Sequence, residues 1–194
     1  MTTEPRQQTS TVTLLDGAPV VLRRLKKADI DAVIALHSQL SDRERYFRFF
    51  IVHPGHIKQF ATDLVQRSAD RYAIGAFEND QLIGAANYVR TNNPVAAEMA
   101  VAVAHGDHLR GVATVLLHHL AEVARRHGIR IFTADVLAEN GPMLDVMHDF
   151  GAQTVASDGP VLHLEIDLSP IDTDTPRHGA RVITSCTAYR EGLT

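Results

Sequence analysis

The chain has 194 residues, 45% apolar and 22% charged, with a formal net charge of −4. That is the balance of a globular protein with enough chain to bury one sizeable core, and the missing basic excess argues against a nucleic-acid partner. No apolar run approaches the roughly 20 residues that span a bilayer, the polar N-terminus has no signal-peptide core, and the single cysteine, Cys186, suits a cytoplasmic location.

In chain order, residues 1–11 are polar and read as a disordered N-terminus. An Asp16-Gly17 turn signal precedes a strand over 19–25. Asp29 is placed to cap a helix over 30–40, whose apolar positions Ile30, Val33, Ile34, Leu36 and Leu40 follow helical spacing. A short helix over 42–50 follows; His53-Pro54-Gly55 breaks the chain, and another helix covers 57–67. The basic residues Arg23, Arg24, Lys26 and Lys27, and then Arg43, Arg45 and Arg48, read as solvated faces. Two β-rich runs, 71–78 and 81–90, flank an Asn79-Asp80 hairpin turn, and Asn92-Asn93-Pro94 leads into a strand over 96–104. The amphipathic helix over 112–127 ends at Gly128, its expected C′ residue. A buried strand over 129–137 precedes a helix that starts with Asn140, Gly141 and Pro142 and runs to Phe150; strands over 153–156 and 161–168 close the order. Residues 169–194 are polar and aperiodic and read as a flexible C-terminal tail. The fold class is therefore α/β (α+β), a mixed and largely antiparallel sheet flanked by helices with one central β-loop-α unit.

Two features of that unit carry chemistry. Between strand and helix stands Asp107-His108-Leu109-Arg110-Gly111-Val112-Ala113-Thr114. A glycine-containing loop that opens a helix N-terminus gathers unpaired backbone N–H groups and the positive end of the macrodipole, a ready phosphate site; an ordinary βα turn looks the same at this level. Glu98 sits inside the apolar run 95–104, where an unpaired carboxylate is costly to bury; it is either a functional group or an edge residue beside the turn. The 11 histidines include the adjacent pair His118 and His119, but neighbours on a helix point about 100° apart and no H-E-x-x-H or cysteine-rich spacing is present, so no metal is expected.

His108-Leu109-Arg110-Gly111-Val112-Ala113 resembles motif A of the GNAT N-acetyltransferases, a Q/R-x-x-G-x-G/A pattern with histidine in the first place. Residues 137–144 and Phe150-Gly151-Ala152 look like motif B, and 40–50 is similar to a segment of the bacterial Pat-like protein lysine acetyltransferases. The resemblance covers about 19–168 and implies a GNAT domain over 12–168 that binds acetyl-CoA as co-substrate. It implies Glu98 as general base, Val101 and Val103 along the pantetheine arm, and His108, Leu109, Arg110, Gly111, Val112, Ala113 and Thr114 around the pyrophosphate. Asn140 would reach the cofactor from motif B. Val101 and Val103 also fit as plain core residues, and Asn140 as a plain N-cap. The implied acceptor is a protein lysine, with an acyl-CoA synthetase as a candidate partner; a small amine acceptor and a non-catalytic acyl-CoA-binding module are the alternatives. The helix of motif B carries no tyrosine to protonate the leaving thiolate, which leaves Tyr88 as a weak candidate. A monomer or homodimer is expected. Some actinobacterial relatives of the family it resembles fuse this domain to a cyclic-nucleotide or amino-acid-sensing module; at this length such regulation is not expected.

Overall fold

A computed structural model describes residues 9–50 and 56–169. Strands β1 (Thr9–Thr13), β2 (Pro19–Arg24), β3 (Arg71–Glu78), β4 (Gln81–Arg90), β5 (Ala96–Val103), β6 (Ile131–Leu137), β7 (Gln153–Asp158) and β8 (Val161–Asp167) form one sheet in the order β1-β2-β3-β4-β5-β6-β8-β7. Every pairing is antiparallel except β5 with β6. The helices are α1 (Ile30–Ser38), α2 (Asp42–Phe49), α3 (Ile57–Leu64), α4 (Val112–Arg126) and α5 (Gly141–Asp149). Among the described residues no helix is long and apolar enough to cross a membrane.

The mixed, mostly antiparallel sheet and its central β-loop-α unit stand as the sequence predicts. The β3–β4 hairpin closes through Asn79 (φ 48°) and Asp80 (φ 65°), two left-handed residues whose twist matches the strands they join. Gly75 in β3 has no room for a side chain, since a Cβ there would stand 2.6 Å from Leu82 Cδ1 and 2.8 Å from Leu25 Cδ2.

Two expectations change. Residues 9–11 belong to β1, which pairs with β2 from Thr9↔Arg23 to Thr13↔Pro19. The run Thr-Ser-Thr-Val-Thr is polar by composition but β-branched by shape, and β2 offers it an open edge. Asp29 stands at the N-cap of α1 without capping it: its carboxylate takes two hydrogen bonds from Arg23, at 2.7 and 2.8 Å, and one from the Lys26 amide. Residues 1–8, the His53-Pro54-Gly55 break and the tail from 170 onward, Cys186 included, lie outside the described residues.

Helix α4 covers one face of the sheet. Leu116, Leu117, Leu120, Ala121 and Ala124 recur at helical spacing, are buried, and meet Ile74, Tyr88, Met99 and Phe132. Helices α1 and α3 cover the other face, where Val33, Leu36, Ala61 and Val65 pack on Leu25, Ala73, Phe77 and Ala85.

Candidate active site

Strands β5 and β6 stay paired for only three rungs, Ala96↔Ile131, Ala97↔Phe132 and Glu98↔Thr133. Beyond them each follows its antiparallel neighbour, β5 along β4 to Val103 and β6 along β8 to Leu137, and a gap opens in the middle of the sheet. The gap is part of a cavity of about 550 Å³. One wall is Met99 to Val103 and the other Ala134, Asp135 and Val136; Phe47 and Arg48 of α2 and Pro142, Met143 and Met147 complete it.

The loop expected to hold phosphate forms one end of this cavity. Gly111 has φ +86° and is the N-cap of α4, so the chain enters the helix from a left-handed turn that a Cβ would strain. A 15-residue helix starting here directs its free first-turn N–H groups and its dipole into the cavity end. Leu109 also has φ +65° and is 92% exposed. His108, Leu109, Gly111, Val112, Ala113 and Thr114 line the cavity, as do Val101, Val103 and Asn140. Arg110 does not. Its guanidinium holds Glu78 at 2.6 Å, Asp16 at 2.5 Å and Asp107, while its carbonyl accepts from Leu15 N at 3.1 Å. Those bonds raise the Arg110 pKa, Glu78 contributing most, and they lock the loop against the β1–β2 and β3–β4 turns.

Glu98 occupies the last paired rung, at the point where the gap opens; its side chain is exposed and does not line the cavity, whose β5 wall begins at Met99. The partial burial that an apolar run suggests is absent, because alternation along β5 turns Glu98, Ala100 and Ala102 away from α4. Their partners on β4, Val89, Asn87 and Ala85, share that face. The same face holds Arg48, whose Nη2 donates to Asn87 Oδ1 at 3.2 Å and whose guanidinium lies 5.1 and 5.2 Å from the Phe49 and Phe60 rings. Arg48 Nε is buried with no hydrogen-bond partner among the described residues. Burial lowers the Arg48 pKa to about 10, and the Glu98 charge opposes the shift. Sequence reasoning placed Arg48 on a solvated face; the α2 turn carries it instead into the cavity wall, and only the adjacent Phe47, Phe49 and Phe50 signalled that α2 is not a plain solvent helix.

Residues 34–152 match the model of the Acetyltransferase (GNAT) family. The chain belongs to the GNAT acetyltransferases. It is 34% identical over 93 residues to the acetyltransferase Pat of Mycolicibacterium smegmatis, an alignment that takes in 47% of this chain and 28% of that protein. It is 29% identical over 140 residues to an acetyltransferase of Pseudomonas aeruginosa, covering 68% of this chain and 73% of the relative. The solved GNAT domain of S. lividans PAT superimposes with a TM-score of 0.76 at 30% identity, over 82% of this chain and 96% of that one. The cAMP-binding acyltransferase of Mycobacterium smegmatis shares the fold at 24% identity and a TM-score of 0.61; the match covers 86% of this chain and 49% of that one. The chain thus spans about half or less of the full-length mycobacterial proteins that it matches.

Two more GNAT expectations can be placed. Asn140 is the N-cap of α5 by position, yet its side chain makes no capping hydrogen bond and lines the cavity, so it is free to meet a ligand. Tyr88 is not a proton donor to this site. It is fully buried on the α4 face, its hydroxyl lies 2.6 Å from His127 Nδ1, and burial pushes its pKa up to about 12. Alternation along β4 decides this, and a strand position read without its register could not.

Proposed function

We propose that this GNAT enzyme transfers the acetyl group of acetyl-CoA to the side-chain amine of a protein lysine, with Glu98 as the general base. The observation that carries the reading is the position of Glu98 on the rung where β5 and β6 part, next in the chain to Met99, the first β5 residue of the cavity wall, with the N-terminus of α4 at one end of that cavity. The pyrophosphate would take the free N–H groups from Leu109 to Thr114, and Arg110 would hold that loop in shape. The pantetheine arm would run beside Val101 and Val103, with Asn140 against it. A lysine ammonium, with an ordinary pKa of about 10.4, is almost fully protonated at neutral pH and must lose a proton before it attacks. Glu98, exposed on the strand that continues into the cavity wall, would accept that proton directly or through one water. The amine nitrogen would then bond to the thioester carbon, and the coenzyme A thiolate would leave, with solvent as its proton source.

The similarity to the PAT domain and to mycobacterial Pat supports the lysine acceptor, as does the likeness of 40–50 to the Pat-like segment, which forms α2 beside Glu98's face. Glu98→Gln should lower turnover by about 10²–10⁴-fold and leave coenzyme A affinity unchanged, the effect of removing a positioned base. Full turnover in that variant would remove Glu98 from the mechanism. Acetyl-CoA consumption compared between an acyl-CoA synthetase and a panel of amino acids, polyamines and aminoglycosides tests the acceptor. Activity confined to the panel would overturn the lysine reading.

A further inference from the structure

Three metal-ligating atoms meet at the mouth of the cavity. Glu44 Oε1, His105 Nδ1 and His108 Nε2 all lie within 4.8 Å of one another. The carboxylate oxygen is 2.8 Å from His105 Nδ1 and 3.5 Å from His108 Nε2. Donor atoms bonded to zinc at 2.0–2.2 Å in tetrahedral geometry stand about 3.3 Å apart; the two carboxylate–imidazole distances bracket that value, and rotation of the exposed His105 ring is the movement that brings all three atoms onto one ion. The geometry points to a binding site for one divalent transition-metal ion of the zinc class, held by Glu44, His105 and His108, with a remaining position open to water or an anion.

The residues are prepared for this in several ways. Glu44 is the third residue of α2, and its Oε2 accepts from the Ser41 amide at 2.7 Å while Ser41 Oγ accepts from the Glu44 amide at 3.2 Å. That capping box fixes the carboxylate and leaves Oε1 turned toward the two imidazoles. Two imidazoles with one carboxylate form a set that zinc takes in enzymes, and imidazole donors disfavour magnesium and calcium. Ligation by His108 Nε2 requires its proton on Nδ1 and gives up the hydrogen bond that Nε2–H makes to Val103 O at 3.2 Å; ligation by His105 Nδ1 likewise replaces its hydrogen bond to Glu44 Oε1. Residue 44 and residue 105 are far apart in the chain, so no spacing motif could disclose the cluster. Glu44 and His108 both line the cavity, so the open position faces the space where an anionic ligand would enter. An ion here would pin α2 to the loop before α4.

The test uses tag-free full-length protein stripped by chelator dialysis and titrated with Zn²⁺ against a chromophoric competitor. Thermal unfolding is followed in parallel. The expected result is saturation at one ion with a rise in Tm, since a metal bound only by the folded state stabilises it. His105→Ala should weaken binding at least tenfold and abolish the rise. Glu44→Gln keeps a residue able to complete the capping box but removes the anionic ligand, and should weaken binding similarly. A His118→Ala/His119→Ala variant should bind as the wild type does. Binding in His105→Ala and Glu44→Gln within tenfold of wild type, or no saturable binding at all, would overturn the site. The readout is the metal itself, so that failure would leave the acetyltransferase reading untouched.

Discussion

The two faces of the sheet are built from different materials. On the α4 face the packing is almost wholly apolar, with Leu116, Leu117, Leu120, Ala121 and Ala124 completely buried beside the rings of Tyr72, Tyr88 and Phe132; the Tyr88–His127 pair is its main polar feature. On the α1–α3 face the packing surrounds polar groups. His37 is 1% exposed, its ring contacts Phe49 and Phe60, and its Nδ1 lies 2.9 Å from Val33 O. Asp29 is buried against Arg23, and Arg48 sits among aromatic rings. The comparison separates two tasks. The apolar face holds a helix N-terminus and a strand gap whose chemistry comes from the backbone, and such a site needs only a rigid support. The polar face carries the side chains that stand beside Glu98, where charge and shape can select an acceptor.

The largest expected difference concerns stability. Leu120→Ala should cost about 2–5 kcal/mol at the upper end of that range, because the dense α4 core cannot collapse around the void, while Leu36→Ala, in the smaller cluster, should fall at the lower end. Urea unfolding of both variants measures it, and equal losses would break the contrast between faces. Next comes pH. Burial, helped by the Arg48 charge, lowers the His37 pKa from 6.5 to about 4. The unfolded chain binds this proton below about pH 6.5 and the folded protein does not until about pH 4, so stability falls as pH falls through that window. The full contribution is about 3 kcal/mol at about 1.4 kcal/mol per unit. Wild type should therefore lose about 3 kcal/mol more than His37→Phe between pH 7 and pH 4 in urea titrations; parallel losses would refute the assignment.

Smaller effects sharpen the division of labour. Arg48→Met should raise the acceptor KM about tenfold, the equivalent of losing one charged hydrogen bond of about 1.5 kcal/mol, and leave acetyl-CoA affinity alone. A change in cofactor affinity instead would move Arg48 to the other half of the site. Asn140→Ala should weaken coenzyme A binding by about 1 kcal/mol in calorimetry with no change in Tm, because its side chain caps nothing. A drop in Tm would restore the capping role.

Much of the cofactor half was legible because it depends on local rules. Helical periodicity placed α4, the Asn-Asp turn placed the β3–β4 hairpin, and Gly111 marked the left-handed entry to the helix. The acceptor half was not legible, since its residues act through register and long-range contact. Tyr88 and Glu98 lie on opposite faces of adjacent strands, a distinction set by pairing and invisible in either strand alone. Arg48 reads as one cation in a basic cluster until α2 is packed against β4 through Asn87. Asp29 reads as a cap until Arg23, on the neighbouring strand, claims both of its oxygens. Composition misjudged β1 for the opposite reason, because threonine is polar in kind and strand-forming in shape.

The parting of β5 and β6 gives an eight-stranded sheet two interior edges. From Met99 onward β5 has a ladder partner on its β4 side only, and from Ala134 onward β6 has one on its β8 side only. A sheet with such a seam is an unfinished one, and the amides along it that lack a ladder partner are expected to exchange hydrogen with solvent as those of an outer strand do. A ligand that enters as an extended chain of alternating amide donors and acceptors serves as the missing strand. Binding in this molecule would then be a completion of secondary structure, and hydrogen-exchange protection gained between residues 99 and 103 on adding coenzyme A would record it.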